Sequence, residues 1–188
     1  MEKAEARGCF GRAIAALSLG ERTQKSEAVA RRLMALPEYQ RARVVMCFVA
    51  MEDEIDTLSL IAAALRTGKR VACPKVDAKR RLMEAHEITD PGEQLRPGHY
   101  GIPEPVTRKT VPVGMLDFIL VPARGFDVHG HRLGRGAGYY DRYLSQPGCR
   151  AIKCGIAFDV QVIDGLPYDD HDVPVDIVLT ESRTLRRE

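Results

Sequence analysis

Glycine and arginine alternate in one segment of this chain in a way that suits phosphate binding. Gly134, Gly136 and Gly138 occupy every second position, with Arg132 before them and Arg135 among them. Glycine lacks a Cβ atom, so the backbone can adopt positive φ there and bring its N–H groups close to an anion. The two guanidinium groups can add forked donors to phosphate oxygens. The pattern favours a phosphate-binding loop, although a tight structural loop would use the same glycines.

An acidic residue, Asp141, follows this loop closely. A carboxylate repels a phosphate unless a cation lies between them, and magnesium commonly joins carboxylates to nucleotide phosphates. Asp172 or Asp176, in an acidic segment at 168–176, could supply another oxygen ligand. The simpler alternatives are an acid that stabilises a helix N-terminus at 141 and a solvated turn at 168–176, in which His171 only forms loop hydrogen bonds.

Two further charged groups are candidates for lining a site. The acids at 52–54 follow an apolar stretch and predict either a solvated helix entry, with Asp53 as its N-cap, or an acid that accepts substrate N–H groups in a cleft. Lys3, Arg7 and Arg12 recur at roughly helical spacing near the start of the chain. This basic stripe is either a solvated helix face or a surface that closes over phosphates.

The first half of the chain alternates helical and strand patterns that would position these residues. Apolar residues recur at helical spacing in three stretches, and continuous apolar runs of strand length separate them. Such runs fit strands buried on both faces, as in parallel sheets. The predicted elements are helices at 2–17, around 29–36 (stopped by Pro37) and 58–65 (closed by Gly68), and strands at 44–50 and 70–74, the latter ended by Pro74.

The second half predicts further strands around the glycine-rich stretch. Residues 86–112 are rich in proline and lack periodicity, which predicts a long functional loop. The tail at 183–188 is polar and is expected to be frayed. Other predicted elements are strands at 116–122, 152–158 and 177–180, and a short helix over Tyr140–Ser145. The fold class is therefore α/β, a single three-layer domain over 1–188 with a mostly parallel sheet and helices on both faces.

Composition excludes several classes of protein. The 188 residues are 45% hydrophobic and 29% charged, which is unlike a disordered or fibrous chain, and the net charge of +2 is too balanced for a protein that coats nucleic acid. Neither a membrane span nor a signal peptide is expected. The five cysteines lack C-x-x-C spacing and predict reduced, mostly buried thiols in a cytoplasmic protein. The expected form is a monomer or weak oligomer.

The order of motifs resembles the 5-formyltetrahydrofolate cyclo-ligase family, also called 5,10-methenyltetrahydrofolate synthetase. The central match is V-P-A-R-G-F-D at 121–127 followed by R-L-G-R-G-A-G-Y-Y-D-R-Y-L at 132–144. The flanking matches are K-x-x-x-R at 3–7, E-I-D-T at 54–57, G-I-P-E-P at 101–105 and H-D-V-P-V-D at 171–176. Arg124 and Ala137 depart from the residues that the family often has there.

The resemblance implies an ATP-dependent, magnesium-dependent enzyme that acts on a reduced folate. Asp141 and Asp172 would hold magnesium, whereas Val49, Glu54 and Tyr139 would contact the folate. Arg135 and Tyr139 would be catalytic, where nucleotide and folate converge. The ATP-binding residues would be Lys3, Arg7, Arg132, Leu133, Gly134, Arg135, Gly136, Ala137, Gly138, Tyr139 and Tyr140.

The implied reaction is the cyclisation of 5-formyltetrahydrofolate to 5,10-methenyltetrahydrofolate, with release of ADP and phosphate. ATP would phosphorylate the formyl oxygen, and N10 would then attack the formyl carbon. The residues alone leave two alternatives: an α/β enzyme that holds a phosphorylated sugar or acyl-CoA in the glycine-rich loop, and a non-enzymatic nucleotide- or RNA-binding module. The near-balance of basic and acidic residues argues against the last, so no nucleic-acid or membrane partner is expected.

Overall fold

The computed structural model describes residues 2–187 and places them in six helices and twelve strands, with three short 3₁₀ turns. The helices are α1 (Lys3–Ala15), α2 (Leu19–Ala35), α3 (Pro37–Arg41), α4 (Leu58–Arg66), α5 (Pro91–Gln94) and α6 (Tyr139–Leu144). The first six strands are β1 (Val44–Met46), β2 (Arg70–Asp77), β3 (Leu82–Ile88), β4 (Leu95–Pro97), β5 (Pro103–Pro105) and β6 (Phe118–Val121). The others are β7 (Gly125–Asp127), β8 (Arg132–Leu133), β9 (Ile152–Ile156), β10 (Val162–Ile163), β11 (Ile177–Leu179) and β12 (Thr184–Arg186).

Seven of these strands form one sheet in the order β12-β11-β9-β6-β1-β2-β3. The five inner strands pair in parallel, and β3 and β12 pair antiparallel at the two edges. Two small sheets, β10-β7-β8 and β4-β5, lie outside it. The predicted α/β class with a mostly parallel sheet is confirmed.

Apolar side chains of the central strands point alternately to two cores, one on each face of the sheet. Val45 packs in the first core with Leu33 of α2 and Ile61 of α4. Ile119 packs in the second core with Leu144 of α6. Helices therefore cover both faces, as predicted, although the second face has only the short α6 and connecting segments. No helix among residues 2–187 is long and apolar enough to cross a membrane.

Two helix boundaries follow from local sequence. Ser18 caps α2 by accepting a hydrogen bond from the N–H of Glu21, whose carboxylate accepts one from the N–H of Ser18 in return. Pro37 begins α3, and Gly68 has φ of 79° after α4, a left-handed conformation that suits glycine. The predicted helices around these signals are confirmed.

The prediction that Pro74 ends a strand is wrong, because β2 continues through it to Asp77. β1 pairs with β2 only as far as Ala72, so one side of β2 has no neighbouring ladder at Pro74. On the other side Pro74 lies opposite Ala85, whose carbonyl turns away to accept from the N–H of Val111. Neither neighbouring strand therefore needs a backbone N–H at Pro74, so the missing N–H of proline costs the sheet no hydrogen bond. β1 is also shorter than the predicted 44–50, since residues 47–50 leave the sheet.

Two segments predicted to lack regular structure contain strands. The predicted loop at 86–112 includes the end of β3, the β4–β5 pair and the short α5. The tail at 183–188, predicted to be frayed, contains β12. The chain turns back after β11, where the N–H of Thr180 donates to the carbonyl of Arg183, and β12 then pairs antiparallel with β11. Glu188 lies outside the described residues. Short strands of this kind have too few residues to show periodicity, so neighbouring strands, rather than local pattern, determine them.

We expect Gly155→Ala to destabilise the protein by about 1–3 kcal/mol, because a Cβ there would overlap the ring of Phe126. The nearest ring carbon would lie 2.3 Å from that Cβ, where Gly155 is in β9 of the large sheet and Phe126 is buried in the second core. Urea unfolding of the two proteins measures the difference. Gly165→Ala is the control, because an added Cβ there meets no atom within 4 Å; equal losses in both variants would contradict this explanation.

Candidate active site

A cavity of about 390 Å³ lies at the carboxyl ends of the central parallel strands. Its walls include Phe48 and Val49 after β1, Pro74 in β2 and Pro122 after β6. Ligand sites in open α/β sheets lie at this edge, because the connecting loops of neighbouring strands meet there. The cavity therefore has the location expected of a binding or catalytic site.

Every residue that the family resemblance assigns to ATP, folate or metal lines this one cavity. The glycine-rich loop forms one wall, the start of α1 lies beside it, and the turn after β1 lies opposite. These lining residues are Lys3, Arg7, Val49, Glu54, Arg132, Leu133, Gly134, Arg135, Gly136, Ala137, Gly138, Tyr139, Tyr140, Asp141 and Asp172. Their proximity is a structural finding, whereas their individual roles stay predictions.

Glycine conformations and a hydrogen bond from α1 fix the backbone of the glycine-rich loop. Gly136 and Gly138 have φ of 105° and 67°, a region that side chains with a Cβ rarely adopt. Arg7 of α1 donates from Nε to the carbonyl oxygen of Gly134 at 2.9 Å. Arg12 instead contacts the sulfur of Cys9 and does not line the cavity. Only the first part of the basic stripe therefore closes over the loop.

A buried ion pair lies behind the loop. The guanidinium of Arg132, whose side chain is only 4% exposed, bonds to the carboxylate of Asp141 and lies over the ring of Tyr140. Nε of Arg132 and the hydroxyl of Tyr140 are buried and have no hydrogen-bond partner among the described residues. Burial, together with the nearby Glu54, raises the pKa of Tyr140, so its phenol keeps its proton. Both groups are donors available to a ligand.

Arg135 crosses the cavity from the glycine-rich loop to the acidic turn after β1. It donates to Asp53 at 2.8 Å and to Glu54 at 3.1 Å. Asp53 also pairs with Arg124. The predicted N-cap role of Asp53 is wrong, since Thr57 precedes the first residue of α4. Burial opposes ionisation of Asp53, yet the two arginines hold its pKa below its ordinary value.

The other oxygen of Glu54 is fixed by the protein backbone. It accepts from the N–H of Met51 at 3.0 Å, and only 10% of the side chain is exposed. Val49 lies on the same side of the cavity. This side therefore presents a nearly buried carboxylate beside an apolar surface, which suits a flat ring that bears N–H donors.

The acidic segment at 168–176 contacts the start of α1. Lys3 donates to Asp169 at 2.7 Å and to Asp172 at 2.6 Å. Burial raises the pKa of Asp172, but the bonds from Lys3 and from the N–H of Asp169 lower it by more. His171 is exposed, with Nε2 at 3.8 Å from Asp172, as expected of a loop residue. Asp176 bonds to Lys153 and does not line the cavity.

The two predicted metal ligands both line the cavity, and their donor atoms suit magnesium. Asp141 accepts from the N–H of Val173, the residue that follows Asp172, so the acidic segment is bonded directly to α6, the helix that carries Asp141. Asp172 also belongs to a group with Asp169 and His171, in which one ligand atom from each residue lies within 4.8 Å of the others. Carboxylate oxygens are the donors that Mg²⁺ prefers. Arg132 pairs with Asp141 and Lys3 pairs with Asp172, so each carboxylate would bind Mg²⁺ while it keeps its basic partner.

Sequence reasoning assigned no role to one wall of the cavity. This wall comes from the β2–β3 pair and from the segment that contains β4 and β5. Its residues are Pro74, Val76, Met83, His99, Ile102, Pro103 and Glu104. The only signals were the proline-rich composition of 86–112 and the G-I-P-E-P motif at 101–105. Neither indicates which side chains face a ligand, because that depends on how the two strand pairs fold over the sheet edge.

Comparison with known proteins identifies the family of this chain. The model of the 5-formyltetrahydrofolate cyclo-ligase family matches residues 1–181. A 5-formyltetrahydrofolate cyclo-ligase of Mus musculus is 32% identical, over 89% of this chain and 88% of that protein. The enzyme of the same name from Escherichia coli K12 is also 32% identical, over 89% of this chain and 94% of its own.

A solved structure shares both fold and sequence with this chain. The NMR structure of Aquifex aeolicus 5,10-methenyltetrahydrofolate synthetase has a TM-score of 0.87 and 36% identity, and the match covers 99% of this chain and 93% of that one. A Mycoplasma pneumoniae synthetase at 24% identity, with a TM-score of 0.77, shows the same fold. On the family model, the sequence relatives and the shared fold, this chain belongs to the 5-formyltetrahydrofolate cyclo-ligase family.

Proposed function

We propose that this protein converts 5-formyltetrahydrofolate and ATP into 5,10-methenyltetrahydrofolate, ADP and phosphate. Family membership supports the reaction. The observation that supports it in this chain is a single cavity with two chemically different sides. Arg7 and Arg132 lie on a side suited to phosphates, Val49 and Glu54 lie on a side suited to a pterin, and Arg135 spans the two.

The nucleotide phosphates are assigned to the glycine-rich loop. Its backbone has the positive φ values that expose N–H groups to an anion. The unpaired Nε of Arg132 is buried beside it, and the guanidinium of Arg7 lies near Gly136. Fixed donors in a site with little water bind phosphate charge more strongly than exposed ones do.

The folate ring is assigned to the opposite side. Glu54 would accept from its N–H groups, and Val49 would contact its face. Glu54 is already oriented by the N–H of Met51, so little reorganisation is needed. When the ring takes the second oxygen of Glu54, Arg135 is released from that carboxylate and becomes available to the phosphates.

The chemistry requires positioning and charge stabilisation. A formyl group on nitrogen resists attack because its oxygen is a poor leaving group. Transfer of the γ-phosphoryl group to that oxygen makes an iminium phosphate and ADP. N10 then attacks the formyl carbon and gives up its proton to the phosphate or to solvent, the ring closes, and the C–O bond breaks to release phosphate. Arg135 and Tyr139 both line the cavity and are proposed to be catalytic, with Arg135 stabilising charge on the transferred group.

Asp141 and Asp172 are proposed to hold Mg²⁺ at the phosphate side. A bound Mg²⁺ would neutralise phosphate charge during transfer. In the protein itself, Arg132 and the N–H of Val173 orient Asp141, and Lys3 orients Asp172. These contacts fix the direction of the carboxylate oxygens before any ligand binds.

Lys3→Met is expected to raise KM for ATP about tenfold, because one charge-assisted contact near the phosphates is lost. Steady-state kinetics with varied ATP measures the change. Lys25→Met is the matched control, since Lys25 pairs with Glu181 and does not line the cavity. Similar KM values for wild type and Lys3→Met would remove Lys3 from the nucleotide site.

The proposed setting is cytoplasmic, with small-molecule substrates as partners and a monomer or weak oligomer as the working form. Cys47, Cys73 and Cys154 support a reducing compartment, because all three are buried and none is in a disulfide. Burial raises the pKa of Cys47 to about 12, so its thiol stays protonated and inert.

The experiment that tests the proposal follows the near-ultraviolet absorbance of the methenyl product. Purified protein is mixed with 5-formyltetrahydrofolate, ATP and magnesium, with matched reactions that omit ATP or magnesium. Growth of the band only in the complete mixture is the expected result. Folded protein that yields no ATP-dependent band would contradict the proposed reaction and favour an enzyme that holds a phosphorylated sugar or acyl-CoA in the loop.

A further inference from the structure

Arg124 is a charged residue next to the cavity with no role in the proposed chemistry. It lies in the short connection between β6 and β7, and its backbone is fixed at both ends. Its N–H donates to the carbonyl of Leu133 at 2.8 Å, and its own carbonyl accepts from the buried Gln161 at 3.0 Å. Its side chain is only 17% exposed and passes close to Gly11 of α1. The guanidinium of Arg124 is therefore carried by a backbone that two hydrogen bonds hold in place.

The guanidinium of Arg124 pairs with Asp53 across 71 positions of sequence. Among the described residues, the hydrogen bonds to the Asp53 carboxylate come only from Arg124 and Arg135. The side chain of Arg135, which is 41% exposed, bonds only to Asp53 and Glu54 within residues 2–187. The direction of Arg135 therefore depends on two carboxylates, one of which is assigned to the folate.

We propose that Arg124 is a positioning residue that acts through Asp53 to hold Arg135 between the nucleotide and the folate. This inference rests on the proposed function. When the folate occupies Glu54, Asp53 is the remaining partner of Arg135, and Arg124 is what fixes Asp53. Neither Arg124 nor Asp53 lines the cavity, so their effect reaches the substrates through Arg135.

Charge balance explains why two arginines are needed. Asp53 and Glu54 bring two negative charges, which Arg124 and Arg135 neutralise. Without Arg124, Asp53 would be tied only to the half-exposed Arg135, and exposed ion pairs of that kind stabilise geometry weakly. Arg135 would then sample several directions, and misplacement of a group by about 1 Å can lower a catalytic rate by up to about a hundredfold.

The first test is a kinetic cycle of four proteins. Arg124→Met should lower kcat about tenfold with little change in either KM, since it disturbs orientation rather than ground-state contacts. In an Arg135→Ala background the same change should have no further effect on kcat. Arg124→Lys should restore part of the loss, because it keeps the charge beside Asp53. Arg186→Met, which removes a surface pair with Glu38, is the control and should leave kcat unchanged.

The second test needs no substrate. Phenylglyoxal modifies accessible guanidinium groups, and mass spectrometry of peptides gives the rate at Arg135. This rate should rise several-fold in Arg124→Met and stay at the wild-type value in Arg186→Met. An unchanged rate at Arg135, or a kcat loss of equal size with and without Arg135, would overturn the positioning role. Inactive wild-type protein would overturn the proposed function instead, while the labelling result would still decide whether Arg124 holds Arg135.

Discussion

Asp141→Asn lowers kcat/KM about a thousandfold in our account, while the protein stays folded. The substitution keeps an oxygen that can accept from Arg132 and from the N–H of Val173, so the local structure is retained. It removes the negative charge proposed to hold Mg²⁺ beside the phosphates, and a single group that stabilises transferring charge is worth about 10²- to 10³-fold. Turnover measured over a range of magnesium concentrations, together with a melting curve, tests the prediction.

Asparagine is a sharper probe than alanine at this position. Both substitutions remove the counter-charge of Arg132, but Asp141→Ala also removes the oxygen that accepts from its buried guanidinium, and complete loss of one partner of a buried pair costs about 3–5 kcal/mol. Loss of activity would then have two explanations. Asp170→Asn, in the exposed part of the acidic segment, is the matched control and should keep full activity. Normal turnover of folded Asp141→Asn at low magnesium would show that Asp141 is not a ligand.

Arg135→Ala should lower kcat by about 10²- to 10³-fold with almost no loss of stability. Arginines that meet the transferring phosphoryl group contribute at least this much in related chemistry. Its ion pairs to Asp53 and Glu54 are partly exposed, so their removal costs about 0–1 kcal/mol of unfolding free energy. Single-turnover formation of the methenyl product and urea unfolding measure the two quantities separately.

Arg12→Ala is the control, because it removes the same charge at a position outside the cavity. Arg12 is an arginine on the same basic stripe as Arg7, but it faces away from the cavity. Its removal should leave turnover intact. A fall in stability without a change in single-turnover rate for Arg135→Ala would mean that Arg135 is structural.

The phosphate side of the site could be predicted from the sequence because its information is local. Gly134, Gly136 and Gly138 are close in the chain, and the positive φ that Gly136 and Gly138 adopt is a property of the backbone itself. β6, the strand of the large sheet that precedes them in the chain, ends at the sheet edge where ligands bind. Fold class followed for the same reason, since continuous apolar runs indicate strands buried on both faces.

Contacts between distant segments could not be predicted in this way. The partner of Arg124 lies 71 residues away, so the sequence left that charge unassigned and offered Asp53 a local capping role as one of two alternatives. Lys3 and Asp172 are 169 residues apart and meet only because α1 folds beside the acidic segment. Local sequence predicts that Pro74 ends β2, because proline has no N–H to donate to a neighbouring strand. In the assembled sheet β1 no longer pairs with β2 at Pro74, so no donor is needed on that side, and the sequence does not show this.

We propose that this cavity transfers a phosphoryl group to the formyl oxygen of the folate. Isotope tracing tests it most directly: 5-formyltetrahydrofolate labelled with ¹⁸O in the formyl group is converted with unlabelled ATP, and the phosphate released is analysed by mass spectrometry. We predict one ¹⁸O atom in each phosphate molecule, because the C–O bond breaks when N10 closes the ring. Unlabelled phosphate, with ¹⁸O appearing in water, would contradict the account.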